Sequence, residues 1–189
     1  PAACFIEDTA VLNGSIAVIT RPGAPTRRPE IATVANALAA LCDCRPMTTG
    51  SLDGGDVMVL GGRVYVGLSA RTDQEGAEEL ARLLGLPLRL VALGRWLHLK
   101  TAVTPIGPDA VISMRGAYPA GTFPGLELIV TDELLGANVL RVGNGVMVSA
   151  AAPTTAALLA RRGLPVRSVD VSEFHKGDAG LTCLSLILE

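Results

Sequence analysis

The sequence predicts an α/β fold made of repeated strand, strand, helix, strand units set around a pseudo-symmetry axis as a propeller. Three observations carry that prediction. Four short apolar runs, beginning at Asp8, Asp56, Thr101 and Asn138, are each split by a tight-turn signal and read as β-hairpins. Helical periodicity follows three of them, and short apolar segments after the helices read as outer strands. A unit of this kind leaves an apolar face bare when alone and covers it by packing beside copies of itself.

The first hairpin reads as Thr9-Ala-Val-Leu12, a turn at Asn13-Gly14, and Ile16-Ala-Val-Ile19. The second reads as Val57-Met-Val-Leu60, Gly61-Gly62, and Val64-Tyr-Val66. Asn-Gly and Gly-Gly suit two-residue hairpin turns because both central residues take positive φ. The third pairs Ala102 to Thr104 with Ala110 to Ile112 around Gly107-Pro108-Asp109, and the fourth pairs Val139 to Val142 with Val146 to Val148 around Gly143-Asn144-Gly145. Ile31, Val34, Ala35, Leu38 and Leu41 line one face of a first helix, with Pro29 near its first turn. Thr72 and Glu75 make a capping box for a second helix carrying Ala77, Leu80, Leu83 and Leu84, which Gly85 ends. A third runs from Pro153 through Leu158 and Leu159 to a stop at Gly163, and Val166 to Val169 is an outer strand. The third repeat shows no helix. Thr182 to Leu188 reads as a lone strand without hairpin mate, so a further unit is expected before Pro1; without it, the exposed edge is expected to close by homodimerisation or by contraction of the ring.

The chain has 189 residues, 49% hydrophobic and 18% charged, enough for one core and a single domain over 1–189. A net charge of −2 with interspersed signs gives no surface for nucleic acid or anionic lipid. The longest apolar stretch, Leu83 to Trp96, is broken by Gly85, Pro87, Arg89, Gly94 and Arg95, so no membrane helix is expected. The start of the chain lacks the parts of a signal peptide, and a cytoplasmic setting is expected. Cys4, Cys42, Cys44 and Cys183 are too few and scattered for a disulfide framework, and Cys42-Asp-Cys44 with two histidines elsewhere has no zinc-finger spacing.

In a ring of hairpins, chemistry collects at the ends of the innermost strands. The polar residues there are Glu7, Asp8, Asp53, Asp56, His98, Lys100 and Cys183. Each has a plain reading alone: Cys183 as a buried thiol, His98 as a hydrogen-bonded core residue, Asp53 and Asp56 as solvated acids flanking Gly54-Gly55, Arg27, Arg28 and Arg71 as surface charge. His175 reads as solvated in a charged run, and Cys4, Cys42 and Cys44 as packed. The assembly reads differently. A thiol needs a base or a lowered pKa to attack, an imidazole needs a carboxylate to orient it, a cationic substrate needs carboxylates, and arginines suit a substrate carboxylate.

Six motifs, Phe5-Ile-Glu7-Asp8, Thr20-Arg-Pro-Gly-Ala-Pro-Thr-Arg27-Arg28, Leu52-Asp-Gly-Gly-Asp-Val57, Gly67-Leu-Ser-Ala-Arg71-Thr72, His98-Leu-Lys100 and Leu181-Thr-Cys183, together resemble the dimethylarginine dimethylaminohydrolase family, in its order along essentially the whole chain. The resemblance implies a five-unit α/β propeller of the guanidine-modifying (pentein) superfamily, of which about four units are present. It implies Cys183 as nucleophile, His98 as acid/base, Asp53 as its orienting partner, Glu7 and Asp8 on the guanidinium, Arg27 and Arg71 on the α-carboxylate, and a backbone carbonyl at Gly177 for the α-amino group. The implied reaction passes through a covalent thiouronium and needs no metal or organic cofactor; the implied partner is a small guanidino substrate. Ala2 departs from the family, which usually has an acid there. Two rivals stand beside this: an arginine deiminase type, against which Lys100 counts because that family carries a second acid two residues after the histidine, and a catalytically silent fragment or binding module.

Overall fold

The computed structural model describes residues 2–188 and divides into two compact units, Pro1–Leu99 with Cys183–Glu189, and Lys100–Thr182. Each unit holds two three-stranded sheets. In every sheet an antiparallel hairpin is followed by a crossover and a third strand parallel to the second. This is the repeated α/β unit that the sequence predicts.

In the first unit, β1 (Ala10–Asn13), β2 (Ile16–Ile19) and β3 (Asp43–Pro46) form one sheet, with α1 (Glu30–Leu38) in the crossover. The second sheet contains β4 (Val57–Leu60), β5 (Arg63–Leu68) and β6 (Leu88–Ala92), with α2 (Gln74–Leu84) between its last two strands. Alternation of side chains along a strand decides what each face meets. Ala10, Ala17 and Ile19 pack with Ile31, Val34 and Leu38 of α1, while Val11 and Val18 turn the other way. There they join Val57, Val64 and Val66 of the second sheet and Ala77, Leu80 and Leu84 of α2. The inner strands are therefore buried on both faces, which is why they read as continuous apolar runs rather than as an alternation.

Local details depart from the sequence reading in instructive places. Gly61 and Gly62 both take positive φ, as a two-residue turn closing Leu60 on Arg63 requires. In the first hairpin Asn13 pairs with Ile16, so the turn is Gly14-Ser15 rather than Asn13-Gly14, and only Gly14 has positive φ. Helix α1 ends at Leu38, and Leu41 lies beyond it and is exposed, because the chain turns back at once into β3. The cap of α2 is Asp73, whose carboxylate accepts from Gly76 N at 2.8 Å. Thr72 does not cap, because its hydroxyl is drawn inward to Asp56. Gly85, at φ 68°, ends α2 as predicted. Cys42 and Cys44 pack against the first sheet, whereas Cys4 is exposed.

The second unit contains β7 (Val103–Pro105), β8 (Ala110–Met114) and β9 (Glu127–Thr131) in one sheet and β10 (Leu140–Val142), β11 (Gly145–Ser149) and β12 (Val166–Val169) in the other. Helix α3 (Pro153–Arg161) crosses from β11 to β12 and sets Leu159 against Val146 and Val148. The crossover from β8 to β9 has no helix, as the sequence reading has it; buried Tyr118 and Phe123 stack edge to face there, 5.4 Å apart. A short helix, α4 (Ser172–His175), follows β12. His175 is not solvated: it is half-buried, one ring nitrogen 2.9 Å from Ser149 Oγ and the other 2.9 Å from Ala179 O.

A 3-10 turn precedes the first strand of each sheet: Ile6–Thr9, Gly54–Asp56, Leu99–Thr101 and Leu134–Gly136. A further one, Thr182–Leu184, lies where a strand is predicted over 182–188. Among the described residues no ladder pairs that segment, and an extended chain becomes a strand only against a bonded neighbour. Leu186 nonetheless packs on the first sheet.

Candidate active site

The 3-10 turns bring Asp8, Asp53, Asp56 and His98 of the first unit together. The turn Gly54–Asp56 lies against the turn Ile6–Thr9, and this approach explains the paired glycines. A Cβ at Gly54 would overlap the carbonyl oxygen of Glu7, and one at Gly55 would stand 2.9 Å from both Asp8 Oδ1 and His98 Nδ1. The motif Asp53-Gly-Gly-Asp56 is thus two carboxylates separated by the only residues small enough to let Asp8 and His98 close in.

Asp53, wholly buried, accepts from Gly23 N at 2.9 Å through Oδ1, and its Oδ2 stands 3.4 Å from His98 Nε2. That separation is that of an ion pair and long for a hydrogen bond; both atoms are buried and make no hydrogen bond among the described residues. Asp56, equally buried, accepts from Thr72 Oγ1 at 2.6 Å, Ser69 Oγ at 2.7 Å and Leu99 N at 3.0 Å. Because Leu99 follows His98, Asp56 fixes the backbone that carries the imidazole. Asp8 accepts from Gly55 N at 3.0 Å and from Arg27 Nη1 at 2.5 Å.

Burial is the largest influence on His98 and pulls its pKa down, but contact with Asp53 and the charges of Asp8, Asp56 and Asp53 outweigh it, so the pKa is raised. Burial also raises the pKa of Asp56, against the opposing pull of His98, Thr72, Ser69 and Leu99. Asp8, Asp53 and His98 each offer an atom within 4.8 Å of the others, within reach of one cation. Both oxygens of Asp8 are already engaged, by Gly55 N and Arg27, so the protein's own donors occupy much of that capacity.

The other predicted residues are placed less centrally. Arg27 is buried with its guanidinium turned to Asp8, Glu30 and the carbonyls of Ala2 and Phe5; a substrate carboxylate would have to displace one of these. Arg71 is half-buried, its side chain making no hydrogen bond or ion pair among the described residues. Glu7 is buried beside Asp8. Cys183 is a half-buried thiol in the turn Thr182–Leu184 of the same unit. Gly177 is exposed in the second unit, its N–H donating to Phe174 O.

A curated relative from Streptomyces coelicolor, an N(G),N(G)-dimethylarginine dimethylaminohydrolase, is 39% identical over 100% of this chain and 75% of its own length. The chain belongs to the dimethylarginine dimethylaminohydrolase family. The Pseudomonas aeruginosa member is 32% identical over 98% of this chain and 76% of its own length. A solved structure of that bacterium's enzyme, a cysteine-to-serine variant complexed with citrulline, superposes with a TM-score of 0.92 at 31% identity, covering 98% of this chain and 76% of that one. The family model described as arginine deiminase matches residues 25–117. The N-terminal domain of a cyanobacterial arginine dihydrolase shares the fold, with a TM-score of 0.85 at 19% identity. The repeated α/β fold is therefore that of the solved dimethylarginine dimethylaminohydrolase structures. This chain spans about three quarters of the length of its dimethylarginine dimethylaminohydrolase relatives.

The sequence reading takes Asp56 as a strand-end acid, Thr72 as a helix cap and gives Ser69 no role, whereas Asp56 holds the backbone next to His98 and Ser69 and Thr72 donate to Asp56. A signal for Asp56 was present, since it opens the second repeat at the place where Asp8 opens the first.

Proposed function

We propose that this chain carries the catalytic machinery of a dimethylarginine dimethylaminohydrolase, releasing a methylamine from Nω-methylated arginine to leave citrulline. The observation that carries this reading is His98, half-buried and with its pKa raised by three carboxylates from two other turns. A site so rich in acid suits a delocalised guanidinium cation, and the carboxylates supply the fixed field that holds it for attack.

In this reading the Cys183 thiolate adds to the guanidinium carbon, and the C–N bond to dimethylamine breaks as His98 gives the departing nitrogen its proton. The covalent product is an S-alkylthiouronium. His98, now neutral, takes a proton from water as it adds to the same carbon; the C–S bond breaks and citrulline leaves. Asp53 orients the imidazole and stabilises its charged form. Glu7 and Asp8 face the guanidinium, with Arg27 holding Asp8 in place. The substrate α-carboxylate falls to Arg71, whose guanidinium has no partner among the described residues. Thiols outside disulfides suit a reducing, cytoplasmic compartment.

Replacing Cys183 by Ser should abolish methylamine release while leaving the thermal melt unchanged, because a hydroxyl ionises far less readily than a thiol. Acid-quenched wild-type protein should carry a substrate-derived mass on Cys183. Full turnover by the serine variant, or faster turnover of agmatine than of methylarginine, would overturn the assignment.

A further inference from the structure

Each repeat reaches forward to the next one with a polar side chain placed near the start of its inner strand. Asp8 accepts from Gly55 N at 3.0 Å and Asp56 from Leu99 N at 3.0 Å. In the second unit Thr104 Oγ1 accepts from Val139 N at 2.9 Å, and Asn138 Oδ1 from Thr182 N at 3.1 Å. The fourth tie does more than the others. Asn138 Nδ2 also donates to Lys100 O at 2.8 Å and to Thr182 Oγ1 at 3.1 Å, so one buried amide holds two backbone stretches side by side. Gly180 is pressed against that amide so closely that a Cβ there would overlap it.

The two stretches are those that lead into the proposed catalytic pair. Lys100 lies two residues after His98, and Thr182 immediately precedes Cys183. Thr182 and Cys183 lie in one turn, Thr182–Leu184, so the bonds that hold Thr182 bear directly on where the thiol sits. We propose that Asn138 is a positioning residue, which sets the spacing between the chain leaving His98 and the chain entering Cys183 and so the approach of imidazole and thiol to one substrate atom. This rests on the assignment of Cys183 and His98 above. An amide is suited to the task because it accepts from Thr182 N and donates to Lys100 O at the same time; a carboxylate keeps only the first bond, and an aliphatic side chain neither.

Three variants of the full chain test this: Asn138→Ala, Asn138→Asp and Gly180→Ala, the last displacing the amide without touching it chemically. Asn138→Ala and Gly180→Ala should lower kcat by about 100-fold, the cost of a misplacement on the order of 1 Å, with KM changed by less than about threefold. Asn138→Asp should be impaired at high pH and recover towards wild type as pH falls, since a protonated carboxyl regains a donor for Lys100 O; the Asn138→Ala to wild-type ratio should stay flat with pH. Hydrogen exchange read on peptides spanning 97–101 and 181–184 should rise at both places in Asn138→Ala. A folded Asn138→Ala with wild-type kcat, or unchanged exchange at either peptide, overturns the proposal. A wild-type chain that releases no methylamine would count against the functional reading instead, and the exchange experiment would still decide whether Asn138 clamps the two stretches.

Discussion

The two units share one architecture but use opposite chemistry to join their repeats. In the first, the forward ties are made by Asp8 and Asp56, both almost wholly buried; in the second they are made by Thr104 and Asn138, both neutral. A buried carboxylate costs several kcal/mol of lost hydration unless donors replace the water, and the neutral ties do the same mechanical work without that penalty. Asp8 and Asp56 are indeed supplied with donors, from Gly55, Arg27, Ser69, Thr72 and Leu99. The second unit shows that charge is not required to hold turn to turn. Its presence in the first is explained by His98, whose pKa the carboxylates raise against burial.

The sharpest way to break this comparison is to remove charge while keeping the tie. Asp8→Asn retains an oxygen for Gly55 N, yet kcat/KM should fall by roughly 100- to 1000-fold, the usual loss for one electrostatic group at a reacting centre; a variant with near wild-type turnover would show that Asp8 is mechanical like Thr104. Next in size is the converse change. Thr104→Val is close to isosteric but strands Val139 N and Ala137 O, so urea unfolding should register a loss of about 1–3 kcal/mol. Its kcat should stay near wild type, and a large kcat loss would blur the division of labour.

A smaller effect should appear in the pH dependence of stability. Because the folded pKa of His98 is raised, its contribution is complete below the unfolded value of about 6.5 and is lost as pH rises through the folded value. The melting temperature of wild type relative to His98→Gln should therefore fall across that window, and parallel curves would argue against a charged His98. The smallest expected effect lies on the surface of the second unit, where Arg115 meets Asp132 through two hydrogen bonds, both side chains exposed. Arg115→Ala should leave the melt nearly unmoved, and any difference should vanish with added salt.

The four repeats were legible because their signals are local. Gly61-Gly62 can close a hairpin whatever surrounds it, and Gly85 can end α2 because its left-handed φ costs nothing without a Cβ. The absence of a helix between β8 and β9 was legible for the same reason, since residues 115–126 show no apolar periodicity. The candidate site was legible in its residue types, through six short motifs, but not in its wiring. Thr72 looks like a helix cap by spacing and becomes a donor to Asp56 because folding places a buried carboxylate within 2.6 Å of it. Arg27 looks available for a substrate and is instead enclosed by Asp8, Glu30 and two carbonyls. Asn138 looks like the polar opening of a strand, and only the fold brings Lys100 and Thr182 to its amide. What the sequence determined by itself is therefore the succession of hairpins, helices and turn residues, because these depend on dihedral preference and on apolar spacing over a few neighbours. What the tertiary structure alone decided is which donor meets which acceptor, because a buried polar group takes whichever partner the packing of distant segments brings within reach.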